Sequence, residues 1–367
     1  MAVDNKLNIA ILGLGLMGGS LGLALVRAGY RVSGWDQNPE IIDEAYQTGA
    51  INQASKDLKD VVCQASVVFI ATPVDSIVAT IQKCLPYVRP GTIFSDLGSI
   101  KKNILEAVFQ FLPSFQHFVA GHPMTGSEQH GLSAADPFLF QNAAYLIIED
   151  PRTSSKAADL IVELVESVGA QIIKLTADEH DRIVATVSHL PHLIAATLAK
   201  TAGDAEKVFP GTLGLAAGGF RDTTRIALGS PEVWRGIIHG NLEQVLKAIE
   251  AFQEELILLK EVLTTGEPSQ LEHFLIQARE TRMQIPAKNK GFLSLLHEMV
   301  VTIEDRPGTI VNVLRFLADA GLNIKDIEIL RVREGTGGTL RLALESDEAV
   351  NRGVKVLETH GFMVKKR

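Results

Sequence analysis

Three stretches of the chain carry the residue types that move protons and hold acids. The first is "GHPMTGSEQHG", Gly121 to Gly131. It follows an apolar, strand-like run and gathers two histidines and a glutamate among glycines and a proline. That composition is poor core material and good material for holding a small polar molecule. His122 stands at the end of the run, where ligands of open α/β sheets bind. An imidazole's ordinary pKa also suits proton removal near neutrality. Glu128 lies in the same loop. "SDLGSIK" ends another such run and offers Ser99, and "ATPV" ends a third, with Thr72 and Pro73 placed beside a cofactor. The plain alternative for His122 is a loop histidine bonded only to its own turn.

The second stretch is "SHLPHLIAA". His189 and His192 are three apart and share a helix face, which Pro191 disturbs locally. Zinc would need a further ligand at useful spacing, and no cysteine or HExxH pattern supplies one, so no metal is expected. The third stretch is "GGFRDTTRIALGSPEVW". Gly218 and Gly219 precede Arg221, Asp222 and Arg225, with Trp234 further on. A guanidinium is built to grasp a carboxylate through two parallel hydrogen bonds. A solvated helix cap is the bland reading of the same charges.

The elements that must position these residues are legible too. "GLGLMGGS" sets Gly13, Gly15 and Gly18 in G-x-G-x-x-G spacing between a strand and the helix "SLGLALVRAG". Glycines there permit a tight turn and a close backbone approach to a pyrophosphate, which the helix N-terminus then faces. Asp36 ends the second strand, "VSGWD", about twenty residues on, where a carboxylate accepts from ribose hydroxyls and repels a 2′-phosphate. NAD is therefore expected over NADP. From Leu7 to about Thr176, short apolar runs alternate with helical patterns, which predicts a doubly wound, largely parallel Rossmann-type sheet.

Beyond Ala177 the chain turns helical. Its longest segment runs from Pro231 to about Thr264 with apolar residues at three and four. So apolar a helical domain implies a packing partner, and a second subunit is the natural one. "PAKNKG" reads as a linker, and from Phe292 the order is βαββαβ, the ferredoxin-like arrangement. The expected division is 1–176, 177–285, 286–291 as linker, and 292–367.

With 367 residues, 46% of them hydrophobic, 21% charged and a net charge of −8, the chain reads as a globular protein without broad nucleic-acid affinity. Two cysteines offer no disulfide framework, which suits a reducing, cytoplasmic compartment. No apolar run is expected to span a membrane.

Taken together, "GLGLMGGSLGLAL", "SDLGSIK", "GHPMTGSEQHG", "SHLPH" and "FRDTTRIA…SPEVW" resemble the prephenate dehydrogenase family over roughly residues 7 to 285. "VVTIEDRPGTIVNVLRFLADAGLNI" resembles an ACT domain, a ferredoxin-like module that binds amino acids as effectors. The resemblance implies NAD-dependent oxidative decarboxylation of prephenate to 4-hydroxyphenylpyruvate, in tyrosine biosynthesis. It implies that His122 hydrogen-bonds and polarises the ring hydroxyl, with Ser99 beside it orienting imidazole and substrate. Arg225 would pair with a substrate carboxylate. His192, Glu128, Asp222, Gly218 and Trp234 match positions around the family's substrate pocket, and the helical domain matches its dimerisation domain. Pro307, Gly308 and Asn323, the last from the adjoining strand, would receive an amino-acid effector, with tyrosine the expected ligand. Arogenate dehydrogenases share the scaffold, so the choice between a keto and an amino side chain stays open. A β-hydroxyacid dehydrogenase fits the glycine motif but needs a "GxxGxxxK" stretch that the helical region lacks. A non-catalytic sensor of NAD and an amino acid is the reading from a different class.

Overall fold

The computed structural model describes residues 7–126, 129–285, 297–304, 306–333 and 337–366. It divides into two compact units, Met1–Gly291 and Phe292–Arg367.

The first unit is built on eight strands: β1 (Asn8–Leu12), β2 (Arg31–Trp35), β3 (Gln53–Ala54), β4 (Val67–Ile70), β5 (Ile93–Asp96), β6 (His117–Pro123), β7 (Ala144–Ile148) and β8 (Gln171–Leu175). They lie in the order β3-β2-β1-β4-β5-β6-β7-β8. Neighbours run parallel except β6 and β7, which are antiparallel. Alternate residues of one strand serve opposite cores. Ile9, Ile11 and Phe69 join one cluster; Ala10, Leu12 and Ile70 join the other. Burial on both faces is why "NIAIL" and "VVFI" read as unbroken apolar runs rather than alternating ones. The order reverses at β1 and β4, which opens a crevice beyond their carboxyl ends. Only β3 escaped the apolar pattern, because both its residues are exposed.

The helices after β8 form the rest of this unit. A capping box starts the helix Ala177–Val184: the Thr176 hydroxyl accepts from the Glu179 amide, and the Glu179 carboxylate accepts from the Thr176 amide. Ala185–His189 is a π-helical turn leading into Leu190–Val208. Pro191 has no N–H to donate, so the regular ladder cannot run through it, and the expected local disturbance takes this form. The whole stretch, Ala177–Val208, is by length and composition alone apolar enough to cross a membrane, contrary to the sequence expectation. It nevertheless buries His180, Asp181, His189 and His192 within the unit, a polar load that belongs to a site rather than to a lipid-facing helix.

The segment expected to be one helix from Pro231 is two, Pro231–Gly240 and Leu242–Thr265. The break falls at Asn241, whose buried amide donates to the Asp181 carbonyl at 2.7 Å. Of the 24-residue helix after the break only Val245 and Ala248 are buried. Its start packs on Ala185, Leu190 and Leu193, whereas Leu246, Leu256, Ile257 and Leu263 are exposed, so part of its apolar surface faces outward.

The second unit is βαββαβ as expected. Its strands β9 (His297–Ile303), β10 (Asp326–Arg333), β11 (Gly337–Leu344) and β12 (Met363–Lys366) pair antiparallel in the order β10-β11-β9-β12. Helices Thr309–Asp319 and Asp347–Thr359 cover one face, where Met299, Val301, Leu340 and Leu342 meet Val313, Leu317 and Leu357. On the other face the buried Arg341 guanidinium is held by Glu298, Asp326 and Glu328. Pro307 and Gly308 are exposed at the start of the first helix, with Gly308 at φ +89° as its cap. Asn323 is exposed in the loop before β10, not in the strand itself.

Candidate active site

Two neighbouring constructions occupy the crevice, a nucleotide cradle and a histidine-lined pocket wall. In the cradle, Gly13 has φ +92°, and a Cβ there would lie 2.7 Å from the Ala71 carbonyl oxygen. Only glycine can both turn the chain and accept this approach of the β4 end. Gly18 packs on the Gly13 carbonyl, whereas Gly15 faces open space. Gly15 caps the helix Leu16–Arg27 with no side-chain hydrogen bond, so the first-turn N–H groups are not capped by a side chain. Asp36 accepts from the Leu14 amide at 2.9 Å and the Asn38 amide at 3.0 Å, which locks the end of β2 to the glycine turn. Among the described residues, the buried Thr72 hydroxyl has no hydrogen-bond partner. Pro73 follows at the start of the next turn. An open glycine at an uncapped helix N-terminus and an orphaned hydroxyl beside it fit a dinucleotide.

His122 is buried in β6, with its Nδ1 2.8 Å from His180 Nε2. His180 Nδ1 lies 2.7 Å from Asp181 Oδ1. The Lys101 amide donates to the same Oδ1 at 2.9 Å and the Lys102 amide to Oδ2 at 3.0 Å. Burial opposes ionisation of Asp181, but the hydrogen bonds from His180 and from these two amides outweigh it and hold the carboxyl below its usual range. Burial lowers the pKa of His122 well below the ordinary value, with His180, Lys101 and His189 adding repulsion. Burial likewise lowers His180 against the pull of Asp181, and lowers His189 to about 4. All three imidazoles are therefore neutral at physiological pH.

Under this chain runs a buried ion pair. The Lys101 ammonium meets Asp96 and donates to the Gly121 carbonyl at 2.7 Å. Desolvation lowers the lysine's pKa, and Asp96 opposes that. One side chain thus ties the end of β5 to the residue before His122. Ser99 stands two residues before Lys101 on the same turn, half-buried.

The pocket wall comes from the helices. His192 stacks on Trp234 with ring centroids 3.7 Å apart and planes 13° apart, and His189 meets the same indole edge-on at 6.1 Å. Gly229 makes room for this: a Cβ there would sit 2.6 Å from Trp234 Nε1 and 3.2 Å from His192 Cε1. Burial lowers the His192 pKa, partly offset by the Ile226 backbone, while its Nδ1 is buried with no partner among the described residues. Asn241 ties the His122–His180–Asp181 chain to the pocket wall, donating to the Asp181 carbonyl and lying 3.4 Å from His189 Nδ1.

The structure thus gathers His122 with His189, and His192 with Trp234, around one set of contacts. Gly218, Asp222 and Arg225 stand exposed on the short helix Gly218–Thr224 and the turn after it, which pack against the Leu190–Val208 helix. Glu128 lies outside the described residues. Sequence reasoning passed over His180, Asp181, Lys101 and Asn241. For His180 and Asp181 the signal was present: "TADEHD" carries the T-x-x-E start that places both just past the start of a helix. For Asn241 there was none, because a single Asn within an amphipathic pattern reads as a surface residue.

The nucleotide-binding domain of prephenate dehydrogenase matches residues 21–174, the prephenate dehydrogenase dimerization domain residues 176–277, and the ACT domain residues 297–357. The chain is 32% identical over 356 residues to prephenate dehydrogenase of Bacillus subtilis (strain 168), covering 96% of each. The chain belongs to the prephenate dehydrogenase family. Its fold superposes on prephenate dehydrogenase from A. aeolicus in complex with hydroxyphenyl propionate and NAD+ with a TM-score of 0.73 at 29% identity, over 78% of this chain and all of that one. Synechocystis arogenate dehydrogenase matches with a TM-score of 0.67 at 29% identity, over 76% of this chain and 99% of that one. This member of the prephenate dehydrogenase family is an NAD-dependent oxidoreductase with a Rossmann-type domain, a helical dimerisation domain and an ACT domain.

Proposed function

We propose that the protein oxidatively decarboxylates prephenate to 4-hydroxyphenylpyruvate in the cytoplasm, as a homodimer restrained by tyrosine. The observation that carries the reading is the neutral, buried His122 at the end of β6, in the same crevice as the glycine cradle. Gly13, Gly15, Gly18, Asp36, Thr72 and Pro73 hold the dinucleotide. The chemistry NAD supplies when bound is acceptance of hydride from the hydroxyl-bearing carbon. His122 takes the hydroxyl proton, and Ser99 orients imidazole and substrate. Arg225, positioned by Asp222, pairs with a substrate carboxylate. His192, Trp234, Gly218 and Glu128 shape the rest of the pocket. Burial of His122 strengthens its contact with the substrate hydroxyl.

The division after 176 and at the 286–291 linker separates cofactor, substrate and effector functions. Pro307, Gly308 and Asn323 receive the effector's amine and carboxylate. Exposed apolar residues of Leu242–Thr265 supply the dimer contact. Likeness to an arogenate dehydrogenase of equal identity supports a second reading, arogenate as substrate. One experiment decides: NADH formation followed with prephenate and, separately, with arogenate. Turnover of prephenate alone or in preference supports the first reading, preference for arogenate supports the second, and turnover of neither removes both.

A further inference from the structure

We propose that His180, held by Asp181, is a positioning residue that sets the tautomer of His122. The inference rests on the reading of His122 as the base, and it starts from hydrogen-bond direction. Asp181 Oδ1 and Oδ2 receive the Lys101 and Lys102 amides, so the carboxylate acts as an acceptor. His180 Nδ1, 2.7 Å from Oδ1, must then carry the proton. A neutral His180 has one N–H, so its Nε2 is the acceptor. His122 Nδ1, 2.8 Å from that Nε2, is therefore the donor. The remaining nitrogen, His122 Nε2, is left with a bare lone pair. A base needs that form, and an isolated imidazole, whose two tautomers lie close in energy, does not guarantee it.

The surroundings keep the chain in this state. Asp181, Lys101 and His189 are the charged and titratable groups acting on the two rings, with Asp96 behind Lys101. Asn241 fixes the Asp181 backbone from the Leu242–Thr265 side. The arrangement extends a base–orienter pair by one imidazole, and the expected benefit is the same: correct tautomer, fixed ring, and a stabilised imidazolium.

The proton balance closes without an outside acceptor. The hydroxyl O–H breaks as His122 Nε2–H forms, and the C–H electron pair leaves as hydride. The ring carboxylate's C–C pair enters the ring as carbon dioxide departs. The ring oxygen, now a phenolate, takes its proton back from Nε2. The imidazolium is transient, and Asp181 stabilises it through His180.

The test uses the full-length protein and two readouts. In ¹⁵N-histidine spectra of the wild type, His122 is expected to be protonated on Nδ1 and bare on Nε2; the opposite tautomer overturns the proposal. His180→Leu removes the acceptor, and should lower kcat on the order of a hundredfold with KM changed by less than about threefold. His180→Gln, whose carbonyl accepts from Nδ1–H, should recover kcat to within about tenfold of wild type. A folded His180→Leu protein with full kcat, or a Gln variant as slow as the Leu variant, overturns it. If His180→Leu fails to fold, the wild-type spectrum decides. Failure of the dehydrogenase reading is seen separately, as wild-type protein that turns over neither prephenate nor arogenate.

Discussion

The imidazole of His122 illustrates how burial keeps a ring neutral. Its unfolded-state pKa is the ordinary one, and burial lowers the folded value well below 6.5. A base must be unprotonated, so the acid limb of kcat/KM should fall well below pH 6.5 and not at it. A limb centred at 6.5 or above would show that some other group governs the reaction. Replacing His122 with Asn should cut kcat on the order of a hundredfold or more while leaving KM nearly unchanged, read from initial rates of NADH formation. The stability consequence has a definite sign. Neutral His189, lowered to about 4 from 6.5, binds a proton more readily unfolded than folded. Stability should therefore be complete above pH 6.5 and be lost as the pH falls from 6.5 towards 4, seen as a declining Tm. His122 itself was singled out in sequence because it is a histidine at a strand end among glycines. His180 was not singled out, because its importance lies in which nitrogen faces which neighbour.

Strand ends, not strands, carry the site, and one buried side chain connects two of them. Lys101 joins Asp96 of β5 to the Gly121 carbonyl of β6 with no exposure to solvent. Removing one partner of such a pair strands the other charge in a medium that cannot solvate it. Lys101→Met should therefore destabilise the protein by about 3–5 kcal/mol, read as a lower midpoint in denaturant. An unchanged midpoint would show that water reaches Asp96. The π-helical turn at Ala185–His189 and the break at Asn241 are related features. Each interrupts a regular helix where a polar side chain turns to the site. Pro191 announced the first of these in sequence. The second depended on the Asp181 carbonyl, which is about sixty residues away in the chain.

At the scale of the whole chain, the two compact units have separate cores, and the boundary between them lies at Gly291 and Phe292. Deleting residues 292–367 should thus leave a folded dehydrogenase that tyrosine no longer inhibits, measured as NADH formation with and without the amino acid. Persistent inhibition would place tyrosine at the catalytic pocket instead. The sequence alone determined the apolar strands other than β3, the glycine cradle and the ferredoxin-like order of the second unit, and it singled out His122, because each rests on local chemistry: periodicity, φ angles only glycine accepts, and residue type at a strand end. Tertiary structure alone decided the hydrogen-bonded chain from His122 through His180 to Asp181, the Lys101–Asp96 pair beneath it and the stacking of His192 on Trp234. The links from His122 to His180 and from His192 to Trp234 join residues tens of positions apart, and only packing brings them together. Which atom donates and which accepts follows from that meeting, and no local pattern encodes it.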